Sequence, residues 1–133
     1  MKMTPKLILK PELFKFFGII YYSCQAIYPY ILSPRFVIDG YMNGEIKYIA
    51  LVEHEFVHLR RISETGAIKW YLKYLFSPKF RLNEEVLAYT KQIKILREND
   101  MKVDIDDFAR ILSSFTYLNM VSKDKAKSLL SEL

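Results

Sequence analysis

Cysteine is almost absent from this chain: its one occurrence, Cys24, excludes an internal disulfide and any zinc site built on several thiolates. A lone cysteine with no third histidine to partner it reads as a small buried hydrophobe. Glycine is scarce too, and four in 133 residues leave little room for a phosphate-cradling loop. Histidine occurs twice, so a site in this chain cannot be built on three imidazoles. Acids are outnumbered, 15 against 20 Lys and Arg. Those at Asp100, Asp104, Asp106 and Asp107 lack the internal Gly and terminal Glu of a calcium loop. No internal repeat or low-complexity tract breaks the chain.

What is present suits one folded domain over residues 1–133, with 51% apolar and 26% charged residues. Ten Tyr and nine Phe predict a ring-rich core and ring-lined cleft walls. Between Leu59 and Arg81, six cations stand against one acid, Glu64. Such a stretch can attract an anionic surface, whether cell wall, nucleic acid or lipid, although its plainer reading is a solvated face. The N-terminal segment 1–34 carries four lysines before Phe16 and then no charge as far as Leu32. Gly18, Ser23, Gln25 and Pro29 dilute that apolar run, it is short for a membrane span, and no small-residue cleavage site follows. It reads as a buried helical segment of unclear role, in a cytoplasmic or phage-virion protein, with membrane association the lesser alternative.

Periodicity predicts a mainly α (α+β) domain. Pro11 and Glu12 suit the start of a helix to about Ile27, ended by Pro29. Arg35 to Asp39 reads as a strand, or part of a hairpin, with a turn after it. Residues Glu45 to about Ser63 read as a helix, with Ile49, Val52, Phe56 and Leu59 as its core stripe. His54 and His58 lie on a nearly opposite face. A second helix spans Ala67 to Phe76, and the next six residues (SPKFRL) read as a loop. A helix from Asn83 or Glu84 to Arg97 follows. Asp104 caps another helix reaching about Leu118, and Ser122 caps the last one.

The chemistry is concentrated in His54-Glu55-Phe56-Val57-His58, an HExxH motif that contains both histidines of the chain. Residues four apart on a helix lie one turn along it on nearly the same face, so both imidazoles can reach one ion. Glu55 sits on the flank, placed to deprotonate a water that the metal polarises. A catalytic zinc takes three protein ligands and leaves a position open. With histidine and cysteine exhausted, the third is a carboxylate, and Asn83-Glu84-Glu85-Val86-Leu87-Ala88-Tyr89 offers Glu84 and Glu85. Periodicity does not separate the two. The carboxylate that is not a ligand reads as a helix N-terminal acid.

The stretch HEFVH, followed some 25 residues later by EVLAY, resembles the gluzincin-type pattern HExxH…ExxA. It is similar to the second motif of CAAX-protease-like and ImmA/IrrE-like peptidases, and closer to small phage-encoded metallopeptidases. The likeness covers roughly residues 35–133 and implies a compact zincin-like domain. It also implies that Glu85 rather than Glu84 completes the metal site. Where many relatives carry Asp after the Ala, this chain has Tyr89, whose hydroxyl could accept a histidine N–H or steady an oxyanion; Arg61 is a second candidate for the latter role.

The function expected from these residues is a zinc metallopeptidase acting on a peptide or protein substrate, with His54, His58 and Glu85 as ligands and Glu55 as base. The strand at Arg35–Asp39 would form one wall of its cleft. Two alternatives differ in class: a phage peptidoglycan amidase or peptidase, and a non-catalytic zinc-stabilised structural or virion protein.

Overall fold

A computed structural model describes residues 6–11, 23–114 and 117–133. Among these, three short strands precede six helices: β1 (Lys6–Leu9), β2 (Gln25–Ile27), β3 (Tyr30–Ser33), α1 (Arg35–Met42), α2 (Ile46–Thr65), α3 (Ala67–Phe76), α4 (Pro78–Glu98), α5 (Ile105–Leu112) and α6 (Lys123–Ser131). The chain is thus mainly α with one small sheet. In that sheet β3 is central, parallel to β1 and antiparallel to β2. Among the described residues no helix is long and apolar enough to cross a membrane.

Two apolar clusters flank the central pair of helices, α2 and α4. On one side Ile31 of β3 packs with Cys24, Val37, Val52 and Leu59, so the sheet and α1 cover α2. On the other, Tyr89 and Ile93 of α4 pack with Ala109 and Leu112 of α5 and Ala126 and Leu130 of α6. Helix α2 is buried well beyond the expected stripe. Ala50, His54, Glu55, Val57, His58 and Ile62 are buried along with Val52 and Leu59. The histidine face is therefore interior.

Four sequence expectations need correction. Arg35–Asp39 is not a strand but the first part of α1. Pro34 supplies an extended residue before it, and Val37 and Gly40, three apart on one helical face, are the positions it buries. An apolar run of three residues is too short to show a period, so strand and helix read alike. The strands lie earlier instead. Gln25–Ile27, expected as the end of a helix, pairs with Tyr30–Ser33 across a turn that contains Pro29. The start of that expected helix, residues 12–22, lies outside the described residues.

The supposed loop after Phe76 is the beginning of α4. The hydroxyl of Ser77 accepts the Phe80 N–H at 3.2 Å and Pro78 occupies the first turn, a standard helix start. Arg81 then has a structural task, since its guanidinium donates to the carbonyls of Tyr74, Leu75 and Tyr117. Helix α5 is shorter than expected and stops at Leu112. The Ser113 and Ser114 hydroxyls turn back to the carbonyls of Arg110 and Ile111, offering the backbone an alternative to further helix. Asp104 and Ser122 cap α5 and α6 as expected.

Gly40 controls how closely α1 approaches α2. A Cβ there would stand 2.0 Å from Cδ2 of Tyr48, deep inside contact distance. Gly40→Ala is therefore expected to lower stability by about 1–3 kcal/mol, the usual cost of overpacking. Urea unfolding followed by circular dichroism measures it. A midpoint equal to wild type would show that the Tyr48 ring swings aside freely.

Candidate metal centre

Helix α2 carries His54, Glu55 and His58, and α4 supplies the carboxylate, Glu85, that meets the imidazoles. Glu85, Ala88, Tyr89 and Gln92 fall at i, i+3, i+4 and i+7, one face of α4, and all are buried. Ala88 has no side chain beyond Cβ, which suits the close approach of the two helices.

The three groups meet. Nε2 of His54 lies 3.4 Å from Oε2 of Glu85, and Nε2 of His58 lies 3.3 Å from Oε1. One ligand atom from each of the three residues lies within 4.8 Å of the others. Two ligand atoms around one small metal ion stand a little over ~3 Å apart, so these two separations are compatible with ligands sharing one ion. The hydrogen bonds agree. Gln92 Oε1 sits 2.9 Å from Nδ1 of His54, where it accepts the Nδ1 proton and leaves Nε2 free to ligate. Tyr74 donates its hydroxyl to Oε1 of Glu85. Oε2 of Glu85 and Nδ1 of His58 are buried with no hydrogen-bond partner. An orphaned buried carboxylate oxygen is costly, and a cation beside it removes the cost. This buried group can hold a metal ion.

Glu84 does something else. Its carboxylate accepts Arg61 Nη2 at 2.8 Å and Nε at 3.2 Å, while Trp70 Nε1 donates to its other oxygen at 3.1 Å. Glu84 thereby holds α3 and α2 to α4, and Arg61 is committed to it rather than to the metal centre. Because α4 begins at Pro78, both acids lie in its second turn, and neither is the terminal acid suggested by a later start.

Comparison with known proteins finds no matching family model, no similar curated protein and no matching solved structure. The reading of the centre therefore rests on its own geometry.

Electrostatics separates the two carboxylates of the site. Burial alone would raise Glu85, but the adjoining His58 and His54 rings outweigh it and hold the carboxyl well below the ordinary range. Glu55 goes the other way. Burial pushes its carboxyl up to about 7 and the Glu85 charge adds to the rise, against His54, a backbone hydrogen bond from Ala26, and Lys10. Glu55 thus combines a buried position with a proton affinity close to neutrality. Lys10 is itself buried, and that burial lowers it to about 8. Burial likewise pushes the Cys24 thiol up to about 12, so it remains a neutral core group.

Tyr89 lies against the ligands through its ring, 4.6 Å from the His54 ring at 80°. Its hydroxyl is 3.4 Å from that of Tyr117. Burial raises both phenols above their usual range, so both keep their protons. The histidine-orienting role considered for Tyr89 belongs in this geometry to Gln92. Gln92, Tyr74, Trp70 and Tyr117 were not singled out from the sequence. Gln92 had a signal, seven residues after Glu85 on one helical face; Tyr117, which lies beyond α5, had none.

Two cleft lobes reach the centre, of about 450 Å³ and 350 Å³. Both touch His54, Glu55 and Tyr117. The larger is walled by Leu51, Phe108 and Ile111, the smaller by Ala26, Ile27, Tyr71 and Tyr74.

Proposed function

We propose that this chain is a zinc-dependent hydrolase, a peptidase in the first instance, with His54, His58 and Glu85 as metal ligands and Glu55 as the catalytic base. The observation that carries the reading is Glu55. A purely structural metal site needs no base, whereas here a buried carboxyl stands between the two imidazole positions of α2 at the junction of two cleft lobes.

Bound by the three ligands, zinc supplies Lewis acidity toward water and toward the carbonyl to be cleaved. The chain's own groups do the rest. Glu55 takes a proton from the attacking water and returns it to the leaving amine. Gln92 and Tyr74 hold His54 and Glu85 in register. The protonated pair Tyr89–Tyr117 offers a hydroxyl donor toward negative charge developing on the substrate oxygen.

Metal analysis of the purified chain tests the reading. About one zinc per chain is expected, removable by a chelator and held less tightly as acid competes for the imidazole nitrogens. Zinc-loaded protein should cleave casein or a peptide pool, and chelated protein should not. Hydrolysis confined to peptidoglycan would keep the chemistry and change the substrate. A folded preparation that takes up no zinc would overturn the proposal.

A further inference from the structure

Helix α3 is amphipathic in an unusual sense, because its wet face is also apolar. Ile68, Leu72, Leu75 and Phe76 are 79%, 53%, 56% and 75% exposed. At 100° per residue these four fall within an arc of about 100° on the side away from the metal centre. The inner face is fully employed: Trp70 and Tyr74 stack with ring centroids 4.7 Å apart and pack on His58. The apolar arc is therefore not a misplaced core face.

The arc has a continuation and an edge. Tyr71, beside it on the helix, ties α3 to the β2–β3 turn. Its hydroxyl accepts the Tyr28 N–H at 3.0 Å and donates to the Ala26 carbonyl at 3.1 Å. Ile27 and Tyr28, both exposed, are thereby held alongside. On the opposite flank stand Lys69 and Lys73, followed by Lys79, all exposed, and α3 contains no acid. The surface thus runs from hairpin aromatics through an aliphatic stripe to a row of ammonium groups.

Patches of this kind mark sites of interaction, and charge chooses among the partners. A nucleic acid or wall polymer would engage the lysines and leave Ile68, Leu72, Leu75 and Phe76 in water. A second copy docked face to face would bury the aliphatic stripe but leave the ammonium row without an anionic partner on α3, which contains no acid. An anionic lipid surface satisfies both halves: apolar side chains enter the acyl boundary while ammonium groups meet the phosphates. We propose that α3 and the β2–β3 turn dock this chain on anionic membranes, with the helix lying in the plane of the interface. The proposal is independent of the hydrolase reading.

Flotation of the full chain with vesicles tests it. Binding is expected to vesicles of equal parts phosphatidylglycerol and phosphatidylcholine, to weaken with salt, and to be slight with phosphatidylcholine alone. Leu72→Ser with Phe76→Ser, and separately Lys69→Gln with Lys73→Gln, should each weaken partitioning by roughly 10-fold or more. All four side chains are exposed, so circular dichroism of both variants should match wild type. Failure to float with anionic vesicles overturns the proposal. So does binding to nucleic acid or cell wall that Leu72→Ser with Phe76→Ser leaves intact, in the absence of vesicle binding. A vesicle-free dimer that the same pair dissolves, again without vesicle binding, would assign the face to a second copy.

Discussion

Glu55→Gln is expected to retain zinc and to melt close to wild type while turnover falls by roughly 10²–10⁴-fold, the usual worth of a positioned base. The structure makes this a clean substitution. Gln keeps the length of the side chain and one carbonyl oxygen, and removes only the proton acceptor. It also removes a buried group whose charged form is disfavoured there, so no stability penalty arises from lost charge. His54→Ala makes the contrast, since it takes away a ligand and should lose metal and turnover together. Zinc assay, thermal melting and a peptide-cleavage rate, measured on the same preparations, separate the two patterns. If Glu55→Gln lost its zinc, Glu55 would be coordinating. If it cleaved at the wild-type rate, the metal would be structural.

The adjacent acids on α4 should fail in different ways. Glu85→Ala is expected to weaken zinc affinity by ~10-fold or more, because it strips the cluster of its only carboxylate. Glu84→Ala should leave affinity near wild type but cost about 1–3 kcal/mol of stability, since Trp70 Nε1 loses its buried acceptor. Arg61 is partly exposed and retains Glu64 at 3.6 Å, so its share of the loss is smaller. Competition with a chromogenic chelator measures the first effect and urea unfolding of the chelated proteins the second. An exchange of the two phenotypes would place the ligand one residue earlier.

Much of the site could be read before any coordinates, and the reason is local geometry. His54 and His58 must face the same way on any helix, whatever surrounds them. Assigning Glu85 needed the ExxA resemblance, because Glu84 and Glu85 are equivalent to periodicity and differ only in distant partners, Arg61 and Trp70 for one and the imidazoles for the other. The caps at Asp104 and Ser122 were legible for the same local reason as the histidine pair. The misread elements take their form from neighbouring elements, except the start of α4 and the end of α5, whose signals are the local pairs Ser77–Pro78 and Ser113–Ser114. Arg35–Met42 is stabilised as a helix by burying Val37 and Gly40 against neighbours that include Tyr48. Gln25–Ile27 is a strand because β3 pairs with it. Tyr74 and Gln92 were invisible as supports because their roles exist only once α3 and α4 are folded against the centre.

Ala26 carries a consequence for how a substrate could enter. It lies on β2, an edge strand, and edges offer free backbone groups with which an extended peptide can pair. At Ala26 half of that offer is already taken, because the Tyr71 hydroxyl donates to its carbonyl. A peptide seeking to extend the sheet here would have to displace that hydroxyl, which also accepts the Tyr28 N–H and so ties α3 to the β2–β3 turn. Admission of an extended chain along β2 is therefore tied to loosening of the helix that bears the exposed apolar stripe.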